Sequence, residues 1–226
     1  FHGAAHGMFT GDEHLAGKEP TQGTEVCAVV EAMYSLERVA AVTGEAWTGD
    51  KLEQIAFNAL PATFDGKMTV HQYDQQVNQV LCSRAKRDWT NNGDDSNLFG
   101  IEPNFGCCTA NFHQGWPKLA SHLWASTIDG GLACLVYAPC TVQTVLGGGE
   151  VRVQVETEYP FESTVRMTVS SATRQRFDLQ LRVPAWCEQM TIDGEPVEAG
   201  SGWAHVDREW HGETVVTVEL PMTVRL

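Results

Sequence analysis

Four residues combine side-chain types and positions that can do chemistry. Two are the adjacent cysteines of "GCCTAN", Cys107 and Cys108, and two are Glu25 and Cys27 of "TEVC". Each pair stands at the start of a pattern that predicts a helix, where unpaired backbone N–H groups and the helix dipole favour thiolates and carboxylates. If both helix starts face one cavity, three thiolates and one carboxylate form a plausible tetrahedral zinc set.

The spacing of these residues leaves several interpretations open. Neither E-x-C nor C-C is a recognised zinc-ligand spacing, and the adjacent pair also fits a vicinal disulfide, a nucleophile beside its neighbour, or two small buried side chains. From spacing alone, core packing is favoured over a metal site. We expect the other four cysteines to be small core residues: Cys82, Cys134, Cys140 and Cys187.

A glycine-rich loop, "GMFTGDEHLAGKEPTQGTEVC", supplies the candidate acid and base groups. It carries Asp12, Glu13 and Glu19 ahead of Glu25, and a loop held by a rigid scaffold is where such groups are usually presented. Solvated surface charge is the alternative for Asp12 and Glu19. Five histidines are compatible with metal ligands, substrate contacts or surface positions: His2, His6, His14, His71 and His113.

The overall charge excludes two classes of partner. With 29 acidic and 15 basic residues, the formal net charge of -14 repels polyanions, so neither nucleic acid nor an anionic membrane is expected to bind. No apolar run reaches the roughly 20 residues that span a bilayer. The seven cysteines form an odd, irregularly spaced set, which favours reduced thiols in a cytoplasmic compartment. The chain opens without Met and stops inside a strand-like pattern, so we interpret it as a fragment.

Hydrophobic periodicity divides the chain near 126–130. Before this point, helical spacing predicts a helix in "EVCAVVEAMYSLERVAAVTG" that stops at Gly44, a second in "TGDKLEQIAFNALPATF", and a third from about Thr109 with Pro117 at a kink or new first turn. After it, short alternating strands separated by turn residues predict a β-sandwich, with a hairpin turn at Asp193-Gly194.

Several blocks of the sequence, in the same order, resemble the β-L-arabinofuranosidases of glycoside hydrolase families 127 and 146. The blocks are "GMFTGDEHLAGKEPTQGTEVCAVVEAMYSLE", "NFGCCTANFHQGWPKL", "GLACLVYAPC" and "LQLRVPAWC". The resemblance implies the C-terminal part of an (α/α)6 barrel over residues 1–128, followed by an incomplete β-sandwich domain over residues 129–226. The chain would cover only the middle of such an enzyme.

The resemblance also implies roles for individual residues. Glu25, Cys27, Cys107 and Cys108 would hold a zinc ion. Cys107 would also be the nucleophile of a retaining mechanism, and Glu13 the acid/base, with Asp12 as runner-up. Three further residues would line the sugar pocket: His2, His71 and Tyr73.

The implied substrate is an L-arabinofuranosyl group on an arabinose-containing glycan or glycoprotein, while the oligomeric state stays open. An isolated fragment is expected to have little or no activity, because much of the barrel that shapes the pocket is missing. Two alternatives remain. One is a carbohydrate-binding or structural module in which zinc only clamps two helices. The other is a cysteine hydrolase that acts on amides and needs a histidine base beside Cys107.

Overall fold

The structure is a computed structural model that describes residues 3–11, 13, 15–18, 23–86, 93–102, 105–198 and 200–224. The chain folds as a mixed α/β protein with two compact units. The first comprises residues 1–38 and 51–120, and the second comprises residues 39–50 and 121–226. No helix in these described ranges is long and apolar enough to cross a bilayer. The predicted barrel and sandwich, with limits at 1–128 and 129–226, stay a prediction.

The first 121 residues contain short strands and helices. In chain order they are β1 (Thr24–Glu25), α1 (Val26–Thr43), α2 (Trp47–Gln54), a π-helical turn (Ile55–Ala59), a 3-10 turn (Pro61–Thr63), β2 (Asp74–Gln75), α3 (Gly106–Asn111), a 3-10 turn (Phe112–Gln114) and α4 (Gly115–Ser121). Pro117 lies in the first turn of α4, which is one of the two positions predicted for it. Its missing N–H removes no hydrogen bond there, because the N–H groups of the first turn have no partner within the helix. The predicted third helix is therefore three short pieces that begin at Gly106.

Helix α1 follows its hydrophobic period closely. Four apolar residues on one face are at most 1% exposed: Val26, Val29, Val30 and Met33. The next buried position is Glu37, whereas Leu36 is half-buried and Val39 is exposed. Steps of 3.6 residues from Val26 reach position 37, so the buried stripe continues through the acidic side chain. Gly44 ends the helix as predicted, with a φ of 67° and its N–H bonded to the Ala40 carbonyl.

The second unit is built on one hydrogen-bonded sheet. Its strands are β3 (Trp124–Ser126), β4 (Leu132–Cys134), β5 (Cys140–Leu146), β6 (Gly149–Thr157), β7 (Thr164–Arg182), β8 (Thr191–Ile192), β9 (Glu195–Pro196) and β10 (Trp203–Glu219). Strands β7 and β10 are antiparallel, with one irregularity between Trp210 and Gly212. Strand β7 also pairs with β6 and, in parallel, with β4. The pattern predicts short strands here, whereas β7 is a single 19-residue strand, because β6, β10 and β4 together supply partners along it.

Alternation of side chains explains the core of this sheet. Residues 151, 153 and 155 of β6 and 165, 167 and 169 of β7 are buried, while their neighbours face outward. The predicted hairpin turn joins β8 and β9: Asp193 and Gly194 both have positive φ, at 52° and 85°, as a type I′ turn requires.

Candidate metal centre

The structure brings together the four residues singled out in "TEVC" and "GCCTAN". Glu25 closes β1, Cys27 is the second residue of α1, and Cys107 and Cys108 lie in the first turn of α3. One potential ligand atom from each residue lies within 4.8 Å of all the others. The Sγ atoms of Cys27 and Cys108 are 3.4 Å apart, and those of Cys107 and Cys108 are 3.9 Å apart. The latter separation far exceeds the roughly 2.05 Å of a disulfide bond.

Tyr73 ties the two helix starts to each other. Its carbonyl accepts a hydrogen bond from the N–H of Val26, the first residue of α1, at 3.0 Å. Its fully buried ring stacks on Phe105, the residue before α3, with 3.8 Å between ring centroids. One residue therefore sets the separation between the segment that carries Cys27 and the segment that carries Cys107 and Cys108.

The strand pair β1–β2 fixes the position of Glu25. Glu25 lies opposite Asp74 in the antiparallel register. Gly23, just before β1, packs so tightly that a Cβ there would come within 1.8 Å of the Asp74 carboxylate. A glycine is therefore required immediately ahead of the "TEVC" segment if Asp74 is to keep its buried place.

The three thiols influence one another strongly. The pKa of Cys27 is lowered to about 6, chiefly because the Cys108 thiol donates a hydrogen bond to its sulfur. The pKa of Cys108 is raised by that same interaction and by burial, and the pKa of Cys107 is raised by burial and by the nearby Cys27 sulfur. One thiolate thus forms readily, while a second and third need a positive charge beside them. A cation among the four side chains supplies that charge, so the donor set can hold a metal ion.

The four residues differ in their access to solvent. Cys107 is exposed, Glu25 and Cys27 are half-buried, and Cys108 is completely buried. A molecule approaching from solvent can therefore reach the Cys107 sulfur but not that of Cys108.

Glu13 is not part of this cluster. Its side chain is exposed, and its backbone has a φ of 77°, in the left-handed region. The loop that carries it starts beside the site, because the Gly11 carbonyl accepts a hydrogen bond from the Glu25 N–H at 3.3 Å and the Gly11 N–H donates to Gly23. Asp12, the alternative acid/base, lies outside the described residues.

Two of the three residues predicted to contact the sugar, His71 and Tyr73, are buried next to the start of α3. His71 is 2% exposed; its Nε2 lies 3.2 Å from the hydroxyl of Thr109 on α3, and burial lowers its pKa. Tyr73 is likewise inaccessible, as described above. Both residues support the helix that carries Cys107 and Cys108, and their contact with a sugar stays a prediction. His2 lies outside the described residues.

One contact of the site has no counterpart among the sequence predictions. The side-chain amide of Asn111 donates a hydrogen bond to the Cys27 sulfur at 3.3 Å, and Gln114 donates to the Asn111 carbonyl oxygen at 3.0 Å. The spacing could have indicated this contact. Asn111 follows Cys107 by four positions and Cys108 by three, and residues three and four apart are neighbours on a helix surface.

The cysteines outside the site are not all core residues. Cys134 and Cys187 are buried as expected, and Cys140 is half-buried. The expectation for Cys82 is wrong, because this residue is exposed. It follows β2 in a stretch without regular secondary structure.

Comparison with known protein families finds a similarity within the sheet unit. Residues 131–222 match the family described as "Beta-L-arabinofuranosidase, GH127 middle domain". This part of the sheet unit is therefore similar to a GH127 middle domain. No curated protein matches the sequence significantly. The cysteine cluster lies ahead of the matched range, so the family match does not itself cover it.

Solved structures extend the GH127 likeness to nearly the whole chain. A GH127 β-L-arabinofuranosidase from Geobacillus stearothermophilus is similar with 25% identity and a TM-score of 0.79, over 96% of this chain and 34% of that protein. Two others share the fold. They are a glycoside hydrolase (23% identity, TM-score 0.74, 90% of this chain and 34% of that protein) and a GH127 β-arabinofuranosidase (20%, 0.74, 97% and 37%). The chain spans about a third of the length of these relatives.

Proposed function

We propose that this chain belongs to a zinc-dependent retaining glycoside hydrolase that releases L-arabinofuranosyl groups from an arabinose-containing glycan or glycoprotein. Two solved relatives are described as β-arabinofuranosidases, and the cluster of Glu25, Cys27, Cys107 and Cys108 offers the chemistry. The proposal includes a partial (α/α)6 barrel over residues 1–128, a β-sandwich domain over residues 129–226 and a cytoplasmic location.

Zinc suits this donor set by type and by size. A tetrahedral zinc ion with zinc–sulfur bonds of about 2.3 Å has sulfur–sulfur edges of about 3.8 Å. The two sulfur–sulfur separations in the cluster, 3.4 and 3.9 Å, lie on either side of that value. Three sulfurs with one carboxylate favour zinc over the harder magnesium and calcium ions, which prefer oxygen ligands.

The exposure of Cys107 is the observation that carries the assignment of the nucleophile. It is the exposed cysteine of the cluster, whereas Cys108 is completely buried and Cys27 is half-buried. A bound zinc ion supplies deprotonated thiolates near neutral pH, so a histidine base beside Cys107 is unnecessary.

The reaction proceeds in two displacements. In the first, the Cys107 sulfur attacks the anomeric carbon, a carbon–sulfur bond forms, the bond to the leaving oxygen breaks, and the Glu13 carboxyl group gives that oxygen its proton. In the second, the Glu13 carboxylate takes a proton from water, whose oxygen attacks the anomeric carbon and releases the sulfur. Two inversions leave the configuration of the sugar unchanged.

A covalent-adduct experiment tests the roles of Cys107 and Glu13. The substrate is p-nitrophenyl β-L-arabinofuranoside, offered to this chain and to any longer natural polypeptide that contains it. Because p-nitrophenolate leaves without acid assistance, Glu13→Gln should slow only the second displacement and accumulate one pentosyl unit on Cys107, seen by peptide mass spectrometry. Glu13→Gln combined with Cys107→Ser should accumulate none, and Asp12→Asn is the matched control that should turn over normally.

Turnover and metal content separate the proposal from its alternatives. We expect one equivalent of zinc per chain. In the longer natural polypeptide, we expect a loss of at least about 10³-fold in kcat/KM for Cys107→Ser, with Cys82→Ser as the unaffected control. Hydrolysis that survives Cys107→Ser, with zinc loss only unfolding the protein, would favour a structural clamp. Purified protein without tightly bound zinc would favour the cysteine hydrolase that acts on amides.

A further inference from the structure

Asn111 forms a hydrogen bond that distinguishes one sulfur of the cluster from the other two. Its Nδ2 lies 3.3 Å from the Cys27 sulfur. Among the described residues, no such side-chain N–H donor is seen for the sulfur of Cys107 or Cys108; each lies close to another cysteine sulfur, and Cys108 also accepts a hydrogen bond from the Cys27 backbone N–H. The three sulfurs are therefore not equivalent before any metal or substrate arrives.

The amide of Asn111 is held in the orientation that makes it a donor. Its oxygen accepts a hydrogen bond from Gln114 Nε2 at 3.0 Å, so its NH2 group must point the other way, toward Cys27. Asn111 is the last residue of α3 and Gln114 ends the 3-10 turn that follows. The change from α-helix to 3-10 turn thus places this donor pair against α1.

We propose that Asn111, oriented by Gln114, is a positioning residue that fixes Cys27 as a permanent metal ligand and leaves Cys107 as the sulfur free to react. The inference rests on the proposed function, because it assumes that the cluster holds zinc. Outer hydrogen bonds orient metal ligands and tune their electron donation. An N–H donor draws electron density from the Cys27 sulfur, whereas Cys107 keeps its full nucleophilic character.

Metal binding by variants of the same chain tests this role without an activity assay. The probes are Zn²⁺, measured by competition with a chromophoric chelator, and Co²⁺, whose sulfur-to-metal charge-transfer band reports electron density on the thiolates. Asn111→Leu, similar in size but without a donor, should weaken Zn²⁺ binding by about 10- to 100-fold. It should also move the Co²⁺ band to lower energy, because the Cys27 thiolate becomes more electron-rich.

Three further variants make the test specific. Asn111→Asp keeps the acceptor for Gln114 but turns an oxygen toward Cys27, so its loss of Zn²⁺ affinity should exceed that of Asn111→Leu. Gln114→Met should act in the same direction with a smaller effect. Asn58→Leu is the matched control, because the Asn58 amide also donates a hydrogen bond, to the Gln54 carbonyl, and Asn58 is not a member of the cluster.

The outcomes separate this inference from the proposed function. If the parent chain binds one Zn²⁺ while Asn111→Leu and Gln114→Met match it within about twofold and leave the Co²⁺ band unshifted, the positioning role is overturned and the metal centre stands. If the parent chain binds no Zn²⁺, both proposals fail. Should Asn111→Leu not fold, as judged by circular dichroism, Gln114→Met decides the matter by the same criteria.

Discussion

The family match and the candidate metal centre lie in different units of the molecule. The family match lies within residues 131–222 of the sheet unit, whereas the cluster of Glu25, Cys27, Cys107 and Cys108 lies in the first unit. A sheet is encoded by alternation repeated over many residues, so its pattern is detectable even when individual side chains change. A metal centre depends instead on the positions of a few ligand atoms. The family likeness and the candidate metal centre therefore depend on different regions of the chain.

The two units also differ in what fills their interiors. In the first unit, side-chain amides hold irregular backbone: Gln72 donates to the Asn97 carbonyl, Gln75 to Ala59 and Asn97 to Asp74, each at 2.7 Å. Irregular segments leave backbone groups without sheet or helix partners, and these buried amides satisfy them. In the sheet unit, strand pairing satisfies the backbone and apolar packing fills the core. The first unit should accordingly depend more on its polar contacts and its ligand.

Replacement of Cys108, the completely buried cysteine of the cluster, should have the largest effect of these changes. This effect should be confined to the first unit. Cys108 contacts both Cys27 and Cys107, so Cys108→Ser should weaken zinc binding on the order of 10²- to 10³-fold, since about 10–16 kcal/mol of binding free energy is shared by four ligands. Hydrogen exchange should rise in α1 and stay unchanged in β6 and β7. Cys187→Ala, at a buried cysteine of the sheet unit, is the control that should retain zinc. Equal loss of protection in both units would contradict the comparison.

A buried ion pair offers the corresponding test within the sheet unit. Arg182 is completely buried; its guanidinium is paired with Asp50 and also donates to the Leu135 carbonyl at 2.6 Å. Asp50→Ala leaves that charge without its carboxylate and should lower the free energy of unfolding by about 3–5 kcal/mol. Urea denaturation followed by hydrogen exchange in β7 measures the loss.

The exposed pair between Arg174 and Glu209 is the matched control for this prediction. Both side chains are more than half exposed and lie 2.6 Å apart, so Glu209→Ala should change the free energy of unfolding by less than about 1 kcal/mol. A cost for Asp50→Ala no larger than that of Glu209→Ala would mean that polar contacts matter little inside the sheet unit.

Mild acid should produce the smallest effect and again distinguish the units. Burial lowers the pKa of His6 and His71 from the ordinary 6.5, so the unfolded chain binds protons that the folded first unit does not. The stability that these two neutral histidines contribute is therefore complete above pH 6.5, and it is lost as the pH falls through their lowered pKa values. In the sheet unit, Arg176 lowers the pKa of Asp207 from 3.8, so that contribution persists until the pH falls below 3.8.

Hydrogen exchange of chelator-treated protein at pH 7 and pH 5 checks this difference. Cys27 adds to the pH dependence of the first unit, because its pKa is lowered from 9.0 to about 6. The stability that its thiolate contributes is complete above pH 9.0 and is lost as the pH falls through about 6. Protection should decrease in α1 but not in β6 or β7. His71→Phe should reduce the pH dependence of the first unit, and an unchanged profile in this variant would remove His71 from the explanation.

Local patterns predicted a large part of the fold and of the site. The end of α1 at Gly44 and the Asp193-Gly194 hairpin turn followed from residues close together in the chain. The residue types of the site were equally readable, because glutamate and cysteine at two helix starts are unusual enough to be noticed. Their metal and catalytic roles stay predictions.

Long-range contacts decided the rest. Strand β7 is one long strand, although the pattern predicts short ones, because β6, β10 and β4 pair along it and no local pattern contains those partners. The exposure of Cys82 and the donor role of Asn111 likewise depend on what packs nearby.

The sequence by itself determined which side chains are available for chemistry and where the chain changes from helical to alternating periodicity, since both are properties of neighbouring residues. Only the tertiary structure decided that Cys27 and Cys108, 81 positions apart, lie 3.4 Å from each other. It also decided that Tyr73 joins their helix starts and that Cys107 is the exposed sulfur of the three. Proximity and exposure arise from the packing of distant segments, which no local pattern encodes.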